Sequence, residues 1–219
     1  MFGRKPSFAV LFDMDGTLID SEPYWLASEQ ALAAEHNGNW THEDGLSVVG
    51  MSLDESSKLF KDRANINLEP EEIVTRLTSD VQSQLAKTIP WRPGARELLL
   101  DLKKHNVKTA LVTMSLHRMA KQVVDAIDFD AFDVIVAGDN VLRGKPHPEP
   151  YLKAAELLGF EPSQCVAFED SISGITSAEA AGTVAIGIPN VVPIPEQDRR
   201  VLWPTMQGVT YKTLRKLFQ

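Results

Sequence analysis

Cysteine is almost missing from this sequence. Cys165 is the only one among 219 residues, so no intramolecular disulfide can form and a reducing cytoplasm is the expected setting. Its place in the apolar run Cys165-Val166-Ala167-Phe168 suits a packed core thiol rather than a reactive one. No stretch approaches the ~18 consecutive apolar residues of a membrane-spanning helix, so a membrane role is not expected. Arg4 and Lys5 precede an apolar stretch, but Phe8 to Phe12 is too short for a signal-peptide core and stops at Asp13. Positive charge is also scarce: 22 Lys and Arg stand against 30 Asp and Glu, a formal net charge of −8, with no basic stripe. Nucleic acid and anionic membrane surfaces are therefore poor partners. An anionic small substrate must be attracted locally, by a metal ion or a few placed cations. Repeats and low-complexity tracts are absent, and 43% hydrophobic content suits one folded domain, or one domain with an insertion. A monomer is expected.

What is present from about Pro90 onward is an alternation of apolar, β-rich runs with helix-period segments, the pattern of a parallel α/β sheet. Phe8 to Phe12 reads as a first strand, continuously apolar because both faces are covered. Further strands are expected at Val107 to Val112, Val134 to Ala137, Cys165 to Phe168 and Val184 to Ile188. The helices expected between them run from Ala95 to Lys104, around Met119 to Ile127, from Pro148 to Leu158 before Gly159, and from Ser173 to Ala181. Tyr211 to Phe218 reads as a closing amphipathic helix. The interval Asp20 to Pro90 breaks this rhythm, being longer than a bare crossover needs. Its content is helical: Tyr24 to Glu35 is rich in alanine and leucine, and Glu69-Pro70-Glu71-Glu72 resembles a helix start before Ile73, Val74 and Leu77. The expected fold is α/β, a Rossmann-like doubly wound parallel sheet built from residues 1–20 and 90–219, carrying an inserted small all-helical cap at 21–89.

In an open parallel sheet, ligands bind beyond the carboxyl ends of the strands, and every chemically suggestive segment falls at such an end. Asp13-Met14-Asp15-Gly16-Thr17-Leu18 follows the first strand directly. One carboxylate can attack phosphorus while the other serves as acid and base. A surface Asp-x-Asp-Gly turn would read the same from that tetrapeptide alone. Thr113-Met114-Ser115 offers a hydroxyl and backbone N–H groups where a helix begins, which suits a phosphate oxygen or a plain N-cap. Gly144-Lys145-Pro146 can place one ammonium against a phosphate and the attacking carboxylate, although a lone lysine is usually solvated surface. Phe168-Glu169-Asp170-Ser171 adds two more acids, which hard Mg²⁺ would use alongside Asp13. Acids converging so closely with one lysine repel strongly, so the constellation calls for a divalent cation, and magnesium is the expected cofactor.

Together these blocks resemble, in order and in strand context, the motifs of the haloacid-dehalogenase superfamily. The helical insertion is similar to that of its small-cap subgroup, which contains β-phosphoglucomutases and sugar-phosphate phosphatases. The resemblance implies that Asp13 is the aspartyl-phosphate nucleophile and a metal ligand. It makes Asp15 the general acid/base, with its carbonyl also on Mg²⁺. Thr113 and Lys145 then bind the transferring phosphoryl group, within a phosphate-contacting set of Asp13, Met14, Gly16, Thr113, Met114, Ser115 and Lys145. Asp170 ligates Mg²⁺ and Glu169 supports it. Met114 departs from the family pattern, which often has a small residue there.

The expected activity is hydrolysis of a small phosphate monoester. The nearest rival is a β-phosphoglucomutase-like isomerase. Such mutases resemble an Asp-Thr-x-x-x-His-x-x-Ala-Trp stretch, yet this chain has Trp25 in place of the histidine and Glu29 in place of the tryptophan. Leu53 stands where the mutase cap has a phosphate-gripping arginine. A non-catalytic protein binding a phosphate ligand is a third reading, opposed by the intact Asp13, Asp15, Lys145 and Asp170. Tyr24, Trp25 and Met51 are expected to face the base from the cap and shape a pocket. His117 and His147 are expected to be exposed bystanders near the site, and His36, His42 and His105 show no ligand spacing.

Overall fold

Strand β1, Ala9–Phe12, is apolar at every position because it is buried on both faces of the sheet. The computed structural model describes residues 8–197 and 200–219, so Arg4 and Lys5 lie outside the described part. Around β1 lie β2 (Lys108–Val112), β3 (Val134–Val136), β4 (Cys165–Glu169), β5 (Val184–Gly187) and the two-residue β6 (Val201–Leu202). All pair in parallel, in the order β3-β2-β1-β4-β5-β6. Successive side chains of a strand point to opposite faces, and β1 shows the consequence. Val10 and Phe12 pack with Leu98, Leu99, Leu102 and Leu214, whereas Ala9 and Leu11 pack with Tyr151, Ala154 and Ile175.

The crossovers are α5 (Ala95–Lys104), α6 (His117–Asp125), α7 (Glu149–Leu158) and α8 (Ile172–Ala180), each within about two residues of its sequence expectation. Gly159 ends α7 in a left-handed conformation, as its place after Leu158 requires. The tail is shorter than expected as α-helix: α9 covers Tyr211–Arg215 and tightens into a 3₁₀ turn at Lys216–Phe218. Strand β6 was not anticipated, since two residues are too few to show a period.

Between β1 and α5 the chain forms four helices: α1 (Glu22–Glu35), α2 (His42–Val48), α3 (Leu53–Arg63) and α4 (Pro70–Leu85). In α4, Ile73, Leu77, Val81 and Leu85 recur every fourth residue and are buried. Helices α2 and α3 went unrecognised in the sequence, although both carry start signals. Thr41 and Asp44 make a reciprocal cap on α2, and Ser52 caps α3 ahead of Asp54 and Glu55. The two connections to the insertion are tied together, Asp20 N–H donating to Pro90 O at 2.8 Å and Arg92 N–H to Leu18 O at 2.8 Å. No helix among the described residues is long and apolar enough to cross a membrane.

The sheet order reverses direction between β1 and β4. Crossovers leave that point on opposite sides, which opens a crevice beyond the carboxyl ends of those two strands. Asp13 follows β1, and Glu169 and Asp170 close β4.

Candidate active site

Asp13 is held where β1 ends by its own backbone, whose N–H donates to Phe168 O at 3.0 Å. Its Oδ1 receives the ammonium of Lys145 at 2.7 Å. The same Nζ donates to Val112 O at 2.9 Å and lies 2.6 Å from Oε1 of Glu169. Thus the lysine stands buried between two carboxylates. The Lys145–Pro146 peptide bond is cis. Burial works to lower the Lys145 pKa, but the charges of Asp13 and Glu169 more than offset it and hold the ammonium above its ordinary range.

One cation does not neutralise this crowd. Burial pushes Asp13 up despite the opposing pull of Lys145, and pushes Glu169 up to about 7. Asp170 is raised well above the usual carboxylate range, first by burial and then by the charges of Asp13 and Glu169. Oxygens of Asp13, Glu169 and Asp170 lie within 4.8 Å of one another. One oxygen of each, Asp13 Oδ2, Glu169 Oε2 and Asp170 Oδ2, is buried without a hydrogen-bond partner. Buried acceptors left this way are costly. Three hard oxygen donors short of positive charge are a set that fits a divalent cation such as Mg²⁺.

Glycine makes the acids' approach possible at two places. A Cβ at Gly16, where φ is +79°, would lie 2.0 Å from Asp170 Oδ2. A Cβ at Gly174 would lie 1.8 Å from Glu169 Oε2. Thr17 Oγ1 adds a long bond of 3.4 Å to Asp170 Oδ1.

Four donors hold the carboxylate of Asp15. Ser21 Oγ and Trp25 Nε1 donate to Oδ1 at 2.6 and 3.1 Å, and Ser115 Oγ and Thr113 Oγ1 donate to Oδ2 at 2.7 and 3.3 Å. Thr113 and Ser115, expected to contact phosphate, therefore also fix Asp15. Met114, the family departure, accepts the Lys145 N–H on its sulfur at 3.2 Å. The Met14 side chain is buried in the core rather than at the site. Asp13, Asp15, Thr113, Met114, Ser115, Lys145 and Asp170 all line one cavity of about 340 Å³ whose far wall is the helical insertion.

Of the expected pocket residues, Trp25 and Met51 line this cavity. Tyr24 does not: its hydroxyl turns away to Thr88 O at 3.3 Å, because the residue beside Trp25 lies about 100° around the helix. His117 and His147 stay off the cavity wall, as expected, but both are half-buried rather than exposed. Nδ1 of His147 accepts the Glu149 N–H at 3.1 Å.

Residues 10–188 match the family profile described as haloacid dehalogenase-like hydrolase. The chain belongs to that family. As a haloacid dehalogenase-like hydrolase it is similar to hexitol phosphatase B of Escherichia coli (strain K12), 34% identical over 191 residues covering 86% of this chain and 84% of that one. It is also similar to the β-phosphoglucomutase of Bacillus subtilis (strain 168), 30% identical over 188 residues and 82% of each chain. Among solved structures, a mutant of CbbY from Rhodobacter sphaeroides, in complex with xylulose-(1,5)-bisphosphate, superposes with a TM-score of 0.84. It is 25% identical, with 94% of this chain and 98% of that chain covered.

Two residues that sequence reasoning missed join this constellation. Tyr151 on α7 donates its hydroxyl to Glu169 Oε1, and the Lys145 ammonium sits 5.3 Å from the centre of its ring. Ser21 anchors Asp15 from the start of the insertion. Neither carries a local signal, because each matters only through a partner that the fold brings to it.

Proposed function

We propose that the protein is a phosphatase that hydrolyses small phosphorylated carbohydrates or polyols through a phosphoryl group carried on Asp13. One observation supports this above all: the Asp13 carboxylate is paired to Lys145 on one oxygen and orphaned on the other, at the end of a cavity that it shares with Asp15. Membership of a hydrolase family and the hexitol phosphatase relative support the same class of substrate.

In this reading Asp13 attacks phosphorus in line, forming an acyl phosphate as the ester P–O bond breaks. Asp15 gives its proton to the leaving oxygen and later takes one from the water that releases phosphate. Thr113 and Ser115 offer hydroxyls to the phosphoryl oxygens, and Lys145 balances negative charge on Asp13 and the transferring group. Asp13, Asp170, Glu169 and the carbonyl of Asp15 would hold Mg²⁺, which supplies the positive charge that the buried carboxylates lack.

A phosphosugar isomerase is the second reading, and the β-phosphoglucomutase relative favours it. Such a reaction needs a grip on a second phosphate while the bisphosphate turns over. At the positions compared with the mutase cap, the cavity wall presents Trp25, Glu29 and Leu53, which supports hydrolysis instead.

Phosphate release from small monophosphates, run beside a coupled assay for glucose 6-phosphate from β-glucose 1-phosphate with catalytic glucose 1,6-bisphosphate, tests both readings. We expect phosphate release, lost in Asp13→Asn, and no appreciable glucose 6-phosphate. Faster formation of glucose 6-phosphate than of phosphate would replace the hydrolase with the isomerase.

A further inference from the structure

Helix α1 supplies a wall of the cavity and touches Asp15 through Trp25. Glu22, Trp25, Leu26 and Glu29 fall at i, i+3, i+4 and i+7, one face of the helix, and all four line the cavity. Trp25 reaches Asp15, so this face starts at the reacting end. Glu29 stands four residues on, about 6 Å further along the helix axis. The lining also includes apolar Val48, Val49 and Leu53.

Glu29 is only 8% exposed. Its Oε2 accepts the indole N–H of Trp40 at 2.8 Å, and that indole packs edge-on against Phe60 at 4.7 Å, so the carboxylate is held in place from behind. Among the described residues no other hydrogen bond or ion pair reaches the side chain of Glu29, and none reaches that of Glu22. Burial, with nothing to offset it but the Trp40 bond, pushes Glu29 up to about 7. Glu22 is pushed up to about 8 by burial and by the charges of Asp15, Glu29, Asp13 and Asp20. Positive charge is nearly missing from this wall. Lys145 is committed to Asp13 and Glu169, and the remaining basic side chain is the exposed His42.

A second phosphate or a carboxylate on the substrate would therefore meet two acids with no counter-charge. A hydroxyl would donate to the same acids. We propose that Glu22 and Glu29 are specificity-determining residues that admit monophosphates with an uncharged, hydroxylated leaving group and reject substrates carrying a second anionic group. This rests on the phosphatase reading above.

The test compares sorbitol 6-phosphate with 6-phosphogluconate, two six-carbon chains that differ at the far end by an alcohol against a carboxylate. Each competes against p-nitrophenyl phosphate turnover with Mg²⁺ at pH 8, where an imidazole carries little charge, so both are ranked whether or not they are hydrolysed. We expect sorbitol 6-phosphate to compete roughly tenfold better or more. Glu29→Gln should bring the two inhibition constants together mainly by improving the acid, and Glu22→Gln should act in the same direction. Equal inhibition in the wild-type protein, or none by sorbitol 6-phosphate, overturns the proposal without any variant. A preference unchanged in both folded variants overturns it too. Absence of p-nitrophenyl phosphate turnover overturns instead the phosphatase reading beneath it.

Discussion

The indole of Trp25, on the helical insertion, donates to the carboxylate of Asp15, on the core loop, at 3.1 Å. The insertion therefore helps aim the proposed acid/base as well as covering it. A hydrogen bond to a charged group contributes about 1.5–3 kcal/mol. Trp25→Phe keeps the buried ring and removes the donor. We expect kcat for p-nitrophenyl phosphate to fall by roughly tenfold or more on that account, with little change in melting temperature. An unchanged kcat would mean that Ser21, Thr113 and Ser115 suffice to hold Asp15.

Gly174 lies in the first turn of α8, where alanine ordinarily stabilises a helix by about 1 kcal/mol. Here the added methyl would sit 1.8 Å from Glu169 Oε2, so Glu169 must move. Gly174→Ala should fold, yet need a roughly tenfold higher Mg²⁺ concentration for half-maximal activity, the scale on which outer-shell changes act at metal sites. A Mg²⁺ titration of the phosphatase rate reads this directly.

Tyr151→Phe removes the hydroxyl that satisfies Glu169 Oε1 and leaves Lys145 as its remaining partner. The expected cost is about 1–3 kcal/mol of stability, read by urea denaturation in EDTA. If the variant matched wild type, Lys145 alone would satisfy that oxygen.

Metal removal should act on stability as well as on rate. Mg²⁺ bound only by the folded acids stabilises the fold by linkage, so EDTA should lower the melting temperature and abolish turnover, and Mg²⁺ should restore both. Ca²⁺ should raise the melting temperature but inhibit, because its larger and looser shell misplaces Asp13. Full activity in a chelator would refute the metal assignment.

Glu29 makes stability depend on pH. Its folded value of about 7 lies above the ordinary 4.5, so the folded state binds that proton more tightly. The resulting stabilisation is complete below the ordinary value and is lost as pH rises through about 7. Comparing wild type with Glu29→Gln by urea denaturation at pH 4.5 and pH 8 should show wild type losing on the order of 2–3 kcal/mol relative to the variant as pH rises. A constant difference between the two would refute the shift.

Local pattern alone was enough to read five strands of the sheet and the helices that connect them. A strand buried on both faces must be continuously apolar, and Ala9–Phe12 is, as is the run Cys165-Val166-Ala167-Phe168 that leads into Glu169. A surface helix must repeat its apolar side, and Leu98, Leu99 and Leu102 do. Asp13, Glu169 and Asp170 were legible because each sits in a motif at or just beyond a strand end, and strand ends of a parallel sheet converge; Lys145 was legible from the Gly144-Lys145-Pro146 motif in the connection after β3. Helices α2 and α3 escaped because a short helix shows little periodicity, although their caps were written in Thr41 and Ser52.

Which side chains meet was decided by tertiary structure. Thr113 reaches Asp15 across 98 residues of chain, and Lys145 reaches Asp13 across 132. Tyr151 looks from sequence like any buried aromatic on an amphipathic helix, and only the packing of α7 against the sheet aims its hydroxyl at Glu169. The turn of α1 likewise sent Trp25 to the cavity and Tyr24 to Thr88. The sequence by itself determined the strands, the helices and the residues able to do the chemistry, since these follow from period and composition along the chain. Their partners, the crowding of three acids around one lysine, and the acidic wall of the cavity arose only where distant segments packed.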